Sequence, residues 1–296
     1  MKKTLILTCL IFLIIGCKKE NINSDEDNNS LIERFSPFSK KRVHIKELKL
    51  DEKIYYYEGK PFDGIAFDMA DEKKIEKELS FKDGKLDGIS KKWFFNGKPE
   101  FVYDYKQDKL NGKQQTWFEN GQLKEESNYK NGVLNGNIKT WYENGQLASE
   151  TNYQIIKRKP LANGELVSID QFGNENELAI SIGVVKEWHK NGQLASLMNY
   201  NKQGNQNGSQ TRWYDDGKYY EISNFKNGKG IGKLQRWYNS GQIGYEKNFS
   251  TNLEKEWYND GVLKSEEIEF HKNNFIKIRR NYYGNGEYLS TDSISK

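Results

Sequence analysis

The sequence predicts an all-β protein, an elongated array of antiparallel β-hairpins, and three observations lead to this prediction. Each of the seven tryptophans opens the same phrase, in which a second ring follows at once and a glycine stands four residues on. Successive tryptophans lie 24, 24, 47, 25, 24 and 20 residues apart, so one small unit recurs along the chain. With 35% hydrophobic and 30% charged residues and a mean hydropathy of −0.94, the chain cannot fill a closed globular interior. Each unit must therefore cover the apolar stripe of its neighbour.

The unit itself reads as a hairpin. Asn-Gly or Asp-Gly ends most of the phrases, as in Asn120-Gly121, and predicts a two-residue turn of type I′ or II′, which needs positive φ. The tryptophans are Trp93, Trp117, Trp141, Trp188, Trp213, Trp237 and Trp257. A leucine or isoleucine often follows six residues later and an aromatic twelve later, and these even offsets place both on one strand face. Each tryptophan and the ring after it are adjacent, so we expect them on opposite faces, with an aromatic ladder on each side.

A glycine also precedes the first six tryptophans by five residues, and this spacing helps to count the units. In the gap of 47 residues, Gly164 and Gly173 keep the glycine spacing and Ile169 takes the tryptophan place, which predicts one hidden copy. Degenerate copies are expected at both ends, on Gly64, Met69 and Phe81 and on 282–286. The count is about nine or ten units.

Four segments are predicted along the chain. Residues 1–16 are a signal peptide, 17–40 a lipidated N-terminus with a flexible linker, 41–290 the repeat domain and 291–296 a tail. Within the region 30–56 we expect a strand or two that cap the first unit.

The N-terminus resembles that of bacterial lipoproteins. A short positive start (Lys2, Lys3) precedes an apolar run from Leu5 to Ile15 that is too brief to span a bilayer, and Gly16-Cys17 ends a lipobox-like motif. The motif implies cleavage before Cys17 and acylation of that residue, which anchors the protein without a membrane span. The alternatives are an ordinary secretory signal and an uncleaved anchor in which the cysteine is incidental. The only other cysteine, Cys9, lies inside the predicted signal, so the mature domain has no thiol for a disulfide.

The predicted location is the cell envelope. Lys18, rather than an aspartate, follows the lipid site, and by analogy with envelope sorting this favours the outer membrane. The acidic run 25–27 is either an export signal or part of a solvated linker. The formal charge of +4 falls to about +2 with the signal removed, which does not suit nucleic-acid binding. The basic run 157–159 reads as a loop, with an anionic contact as the alternative.

The repeats resemble the MORN-repeat family, more closely its bacterial variant with the pattern L-x-G-x-x-x-x-W-Y-x-N-G. The residues that carry the resemblance are Leu86, Gly88, Trp93, Asn96 and Gly97, then Leu110, Gly112, Trp117, Asn120 and Gly121, then Leu134, Gly136, Trp141, Asn144 and Gly145. The resemblance implies an elongated twisted sheet of hairpins that acts as a scaffold. Some bacterial members are described as antitoxin-like, which for an exported protein implies immunity to an effector in the envelope.

No catalytic, metal or cofactor site is predicted. His44, His189 and His271 share no ligand spacing, and His189 takes the place of a second ring in its unit. The glycine-rich run 228–233 lacks the serine or threonine and the helix of a phosphate loop. The chain is therefore expected to be no enzyme.

Binding is the predicted function, and the rings after tryptophan are the predicted contact residues: Phe94, Phe118, Tyr142, Tyr214, Tyr238 and Tyr258. In the first hypothesis they line a groove for a partner protein. In the second they stack on the sugars of a glycan or of peptidoglycan. The alternative to both is that the rings only hold neighbouring hairpins together. Exposure of these rings separates the alternatives, since a buried row excludes polymer binding.

Overall fold

A computed structural model describes residues 40–157, 177–272 and 274–295. The predicted signal peptide, Cys17 and almost all of the linker lie outside this range, as do Gly164, Ile169 and Gly173 of the expected hidden copy. The described residues form β-strands and one short 3₁₀ helix, in agreement with the all-β prediction. No helix in these residues is long and apolar enough to cross a bilayer.

The 3₁₀ helix η1 covers Ile45–Glu47. The strands are β1 (Arg42–His44), β2 (Lys49–Asp51), β3 (Ile54–Tyr57), β4 (Lys60–Pro61), β5 (Gly64–Asp71), β6 (Lys74–Lys82), β7 (Lys85–Leu86), β8 (Gly88–Trp93), β9 (Pro99–Lys106), β10 (Lys109–Leu110), β11 (Gly112–Trp117), β12 (Leu123–Lys130), β13 (Val133–Leu134), β14 (Gly136–Trp141), β15 (Leu147–Lys157), β16 (Glu177–Trp188), β17 (Leu194–Tyr200), β18 (Gln206–Trp213), β19 (Tyr219–Lys226), β20 (Lys229–Trp237), β21 (Ile243–Asn248), β22 (Leu253–Trp257), β23 (Leu263–Lys272), β24 (Asn274–Tyr282) and β25 (Tyr288–Ser295).

One long sheet carries the repeats. From β5 onward the strands pair antiparallel in sequence order, except that the short strands β7, β10 and β13 do not pair with the strands that follow them, while β1 pairs parallel with β5. The short strands β7, β10 and β13 continue into β8, β11 and β14 after a single residue, and each pair lies against the same neighbour. Nine hairpins of this array lie in the described residues. Because every pairing is local, the sheet is a one-dimensional stack.

A small cap precedes the array, as the sequence predicts for the region 30–56. Strands β2, β3 and β4 form a separate three-stranded sheet. Val43, Phe62, Ala66 and Phe81 are buried together, with Tyr55 packed against them. The first unit thus covers its apolar face with a local hydrophobic core rather than with a preceding repeat.

The turn after each tryptophan differs from the predicted type. The N–H of Phe118 donates to the carbonyl of Gln122 at 2.9 Å, and the N–H of Gly121 donates to the carbonyl of Phe118 at 2.8 Å. Gly121 has φ +88, but Asn120 is not among the residues with positive φ, and the register shifts between Thr116 and Trp117. These are three-residue loops that end in a left-handed glycine and a bulge. The prediction of a two-residue I′ or II′ turn at this place is wrong.

Two-residue turns with two positive φ values, as in type I′, lie at the other end of the strands, where one unit leads into the next. Asn131 and Gly132, with φ +53 and +84, connect paired residues Lys130 and Val133. The pairs at 83–84, 107–108 and 227–228 have the same conformation. The glycine-rich run 228–233 thus begins in such a turn.

The residues of the expected hidden copy, 164–173, lie outside the described range. Strand β15 pairs directly with β16, from Ser149 with Glu187 to Lys157 with Glu177. The unit of Trp141 therefore lies next to the unit of Trp188 in the sheet, with no repeat between them. The residues that link the two strands lie outside the described range.

Glycines five residues before tryptophan pair directly with the aromatic twelve residues after it. Gly112 lies opposite Tyr129, and Gly136 lies opposite Tyr153. Gly64 lies opposite Phe81 in the same way, which fits the predicted degenerate first copy. Two separate sequence signals thus form one cross-strand pair.

The interior of the array is polar rather than aromatic. Apart from Val133 and Leu134, the most buried side chains between β8 and β19 are polar: Ser90, Gln114, Ser127, Gln210 and Ser223, each at most 2% exposed. The side-chain amide of Gln210 accepts from the N–H of Asn199 at 3.0 Å and donates to its carbonyl at 2.9 Å, which replaces backbone bonds where the register shifts. Burial also raises the pKa of Tyr105 and Tyr129 on this face.

The prediction of two aromatic ladders is wrong, and the ends of the strands show why. Every strand that carries a tryptophan of the phrase ends at that tryptophan, so the second ring belongs to the turn and not to the opposite strand face. All seven tryptophans are half-buried, and no two indole rings are in contact among the described residues. Neighbouring units are instead joined by hydrogen bonds at the turns.

Candidate functional site

The turns that follow the tryptophans lie along one side of the sheet, which we call the turn edge. Its segments are 94–98, 118–122, 142–146, 189–193, 214–218, 238–242 and 258–262. All six predicted contact residues lie at the start of these turns.

Asparagine side chains connect each turn to the next. Asn120 accepts the N–H of Gln122 at 2.8 Å, which closes its own turn, and donates from its amide to the carbonyl of Glu143 at 2.8 Å. The same pair of bonds recurs at Asn96, Asn144 and Asn191. Asp216 closes its turn but has no amide to donate. The recurrent asparagine is therefore both a turn residue and a link between units, a role that the turn chemistry alone does not reveal.

The second rings form a parallel series of links. The hydroxyl of Tyr214 donates to the carbonyl of Trp237 in the next unit at 2.8 Å. Equivalent bonds run from Tyr142 to Trp188, from Tyr238 to Trp257 and from Tyr258 to Tyr282. His189 places its Nε2 3.0 Å from the carbonyl of Trp213, as expected for a residue that replaces a second ring. The Tyr142 and Asn144 bonds reach the unit of Trp188 directly, which again places these units side by side.

Several of the predicted contact residues thus already make contacts within the protein. Phe94, Phe118, Tyr142, Tyr214 and Tyr258 are half-buried, and Tyr238 is 37% exposed. None is buried, so the exposure criterion does not exclude polymer binding. Their role in binding stays a prediction, while the hydrogen bonds give the tyrosines a structural role as well.

One prediction concerns these links. Tyr214→Phe removes the hydroxyl that reaches Trp237, and we expect the free energy of unfolding to fall by about 0.5–1.5 kcal/mol. Phe118→Tyr adds a hydroxyl where the next unit offers the Trp141 carbonyl, and it should change stability in the opposite direction. Urea denaturation of both variants is the measurement. An equal loss of unfolding free energy in both variants would contradict a stabilising role of the hydroxyl.

A depression of about 440 Å³ lies at the N-terminal end of the turn edge. Trp93, Phe94 and Phe95 line it, together with acidic groups that include Glu100 and Glu119. Phe95 is 72% exposed. The same turn position in the other units holds only polar residues or glycine: Glu119, Glu143, Lys190, Asp215, Asn239, Asn259 and Gly284. The fold therefore does not require a phenylalanine there.

The depression has an acidic character. Lys92 lies 2.9 Å from Glu100 and 3.7 Å from Glu76, and the hydrogen bond to Glu100 raises the pKa of Lys92. Glu119 enters from the next turn, so three carboxylates face a single lysine among the lining residues. Lys74 lies outside this lining, with its Nζ 4.8 Å from the centre of the Phe95 ring.

A second group of rings, of which Tyr219, Tyr220 and Tyr238 are exposed, lies further along the turn edge, and we call it the ring cluster. Its members are Trp213, Tyr214, Tyr219, Tyr220, Trp237 and Tyr238. Tyr219 lies between the indoles of Trp213 and Trp237, at 6.1 and 6.2 Å between ring centres. Tyr220 packs edge-on against Tyr214 at 5.3 Å. Sequence reasoning selected Tyr214 and Tyr238 but missed Tyr219 and Tyr220, although Tyr219 breaks the leucine pattern of the return strands.

The charged residues of the sheet pair with one another. Glu221 lies 2.7 Å from Arg236 and 3.7 Å from Arg212, and the bond to Glu221 raises the pKa of Arg236. Burial, with a hydrogen bond to Glu254, raises the pKa of Tyr245 to about 12. Within the described residues no three His, Cys, Asp or Glu side chains gather as a metal site would require.

Comparison with known proteins agrees with the geometry of the hairpins. The sequence pattern of the MORN repeat variant family matches residues 110–131, 134–154, 182–202 and 206–227. No curated protein matches the sequence. Among solved structures, one similar chain belongs to the Tc holotoxin pore of Photorhabdus luminescens, with 11% identity and a TM-score of 0.21. That match covers 79% of this chain but only 14% of the other.

Proposed function

The chain contains repeats of the MORN variant type, and on this premise we propose that it is a non-enzymatic, lipid-anchored scaffold of the cell envelope that binds a partner protein. Repeats of this type commonly serve in interactions with proteins or membranes. The single observation that carries the proposal is Phe95, an exposed aromatic in a depression whose repeat position is otherwise polar or glycine. Aromatic anchors in such depressions supply most of the binding energy of many interfaces.

The anchor is proposed from the sequence. A positive start, a short apolar run and Cys17 occur in the order that acylation requires. Acyl chains on Cys17 would hold the protein to membrane lipid, with the region before residue 41 as the tether. Lys18 supports the outer membrane as the location.

The partner is proposed from charge. Glu76, Glu100 and Glu119 line the depression against one lysine, so a segment with an arginine or lysine next to an apolar side chain is complementary to it. This excess of acidic over basic groups does not suit nucleic-acid binding. Two other functions remain as alternatives: binding of a glycan or of peptidoglycan, and an antitoxin-like role as envelope immunity protein. An effector with a basic surface would suit the same depression in the latter case.

A crosslinking experiment tests the scaffold. The intact protein is crosslinked in its own envelope, and the protein adducts are identified and compared with those of Phe95→Glu. Because glutamate occupies this turn position in the next two units, the variant is expected to fold normally. We expect the wild-type adduct to fall at least about tenfold, the effect of losing an anchor worth 1.4 kcal/mol or more.

The matched control is Asn259→Glu, the same change at the same position near the other end of the array. It should leave the adduct unchanged, and added salt should weaken the wild-type adduct. An adduct that survives Phe95→Glu, or no adduct in the wild type, would contradict the proposed surface.

A further inference from the structure

Lysines recur along the side of the sheet opposite the turn edge, and we call this row the lysine edge. It consists of five turns in which one unit leads into the next: 82–85, 106–109, 130–133, 201–205 and 226–229. These turns carry eight lysines. Asp83 and Asp108 accompany the lysines of the first two turns, whereas the last three turns contain no acidic residue. The lysine edge is therefore basic, and most strongly so in its second half.

Three of these turns place two lysines directly opposite each other on neighbouring strands. The opposed pairs are Lys82 with Lys85, Lys106 with Lys109 and Lys226 with Lys229. Like charges in directly opposed positions destabilise a sheet. The fold does not require them, since Val133 lies opposite Lys130 in the equivalent turn. The recurrence of the opposed pairs at one repeat position therefore needs a reason other than stability.

The charges of the opposed pairs are open, unlike the basic charges on the strands. Within the residues that the structure describes, only Lys106 of the six forms an ion pair, 3.2 Å from Asp87. Five of the six lysines are exposed, and Lys85 is half-buried. The five described arginines, in contrast, all pair with glutamates of the sheet. Positive charge is thus neutralised on the strands and left available at this edge.

The tips of these turns are polar, which favours a water-soluble ligand over a lipid surface. The tips with two positive φ values are Asp83-Gly84, Gln107-Asp108, Asn131-Gly132 and Asn227-Gly228. Attachment to a lipid surface gains strength when apolar side chains enter the layer beside the basic ones. No apolar side chain stands at these four tips, so the lysine edge offers charge alone.

The row fits a linear ligand with closely spaced negative charges. The first three turns follow one another at intervals of two strands, which is about 10 Å, so the charges form a line rather than a pocket. Each opposed pair brings two ammonium groups to one turn, and lysine binds phosphate as a point charge. A chain with a charge on every short backbone unit supplies anions at this density.

From the opposed pairs, their open charges and their arrangement in a row, we propose that the lysine edge binds a linear phosphate polymer of the polyphosphate type. This inference goes beyond partner binding at Phe95 and does not rest on it.

The test is the fluorescence anisotropy of end-labelled long-chain polyphosphate, titrated with the intact protein and with the triple variant Lys109→Gln, Lys226→Gln and Lys229→Gln. Lys106 stays in place because it pairs with Asp87. We expect saturable binding by the wild type and affinity at least about tenfold weaker in the triple variant. The slope of log affinity against log salt concentration should flatten by about one for each lysine removed. The urea midpoint should not fall, because two opposed pairs lose their like-charge contact.

The matched control is Lys73→Gln, Lys124→Gln and Lys190→Gln, the same loss of charge at exposed lysines away from this edge. Because distant charges are screened, it should bind within about twofold of the wild type. No saturable binding of polyphosphate by the wild type would overturn the proposal, as would equal weakening in the two variants. A lowered urea midpoint in the triple variant would also overturn it, since the lysines would then serve stability.

Three further probes identify other ligands for the same row. Tighter binding of polyglutamate or of single-stranded DNA than of polyphosphate would overturn the proposal by assigning the lysine edge to another polyanion. Binding of anionic phospholipid vesicles without binding of polyphosphate would overturn it by assigning the edge to a membrane surface.

Discussion

Cys17→Ser is expected to abolish acylation of the protein completely. The thiol is the acceptor in the proposed anchor, and a serine hydroxyl does not replace it. Several acyl chains at about 0.8 kcal/mol for each buried CH₂ hold a protein durably, so their loss has the largest functional effect that we expect. The measurement is metabolic labelling with an alkyne fatty acid, followed by detection of the label on the purified protein.

Cys9→Ser is the matched control for this change, because the second cysteine lies within the predicted signal. It should keep the label and the mature N-terminus, whereas Cys17→Ser should retain the unprocessed start of the chain. Label on the Cys17→Ser protein, or its absence from the wild type, would show that the chain is not a lipoprotein of this kind.

Leu134→Ala is expected to have the largest effect on stability. Leu134 and Val133 are fully buried, with Ala179 beside them and Tyr129 and Ile138 packed around them. Removing a buried leucine costs about 2–5 kcal/mol, from lost transfer energy and from the cavity that remains. In an array held together by neighbour contacts, this loss should weaken the middle of the sheet. Urea denaturation is the measurement, with the midpoint expected to fall.

Leu110→Ala provides the control at the same repeat position one unit earlier. Leu110 is only half-buried, so its removal should cost clearly less than that of Leu134. Equal losses in the two variants would mean that the position in the repeat determines the loss of unfolding free energy. The greater burial of Leu134 would then have no effect.

Much of the fold was predictable because its signals are local. The strands, the periodic hairpins and the N-terminal cap follow from residue types and spacing, and the match to the MORN repeat variant family agrees with them. The turn type was wrong because an Asn-Gly pair suits two loops, and the chain forms the longer one, closed between Phe118 and Gln122. The hidden copy stays a prediction, because its residues 164–173 lie outside the described range. The structure adds that strand β15 pairs directly with β16.

The candidate site was predictable only in part. Reading the phrase as a strand placed Tyr214 and Tyr238 on a sheet face, whereas the strand ends at tryptophan and leaves both rings in turns. Phe95 and Tyr219 were missed because each is unremarkable by itself. Their significance comes from exposure at positions that neighbouring units fill with polar or aliphatic residues.

The sequence by itself determined that the chain is a stack of hairpins, because strand alternation, positive-φ glycines and a fixed period act within about 25 residues. It also predicts a lipid anchor, because the motif for that chemistry is a contiguous segment. The tertiary structure decided which residues join the units: asparagine amides, tyrosine hydroxyls and buried serines and glutamines rather than stacked indoles. Those partners lie on separate units and meet only once the register of the sheet is set, so no local pattern specifies them.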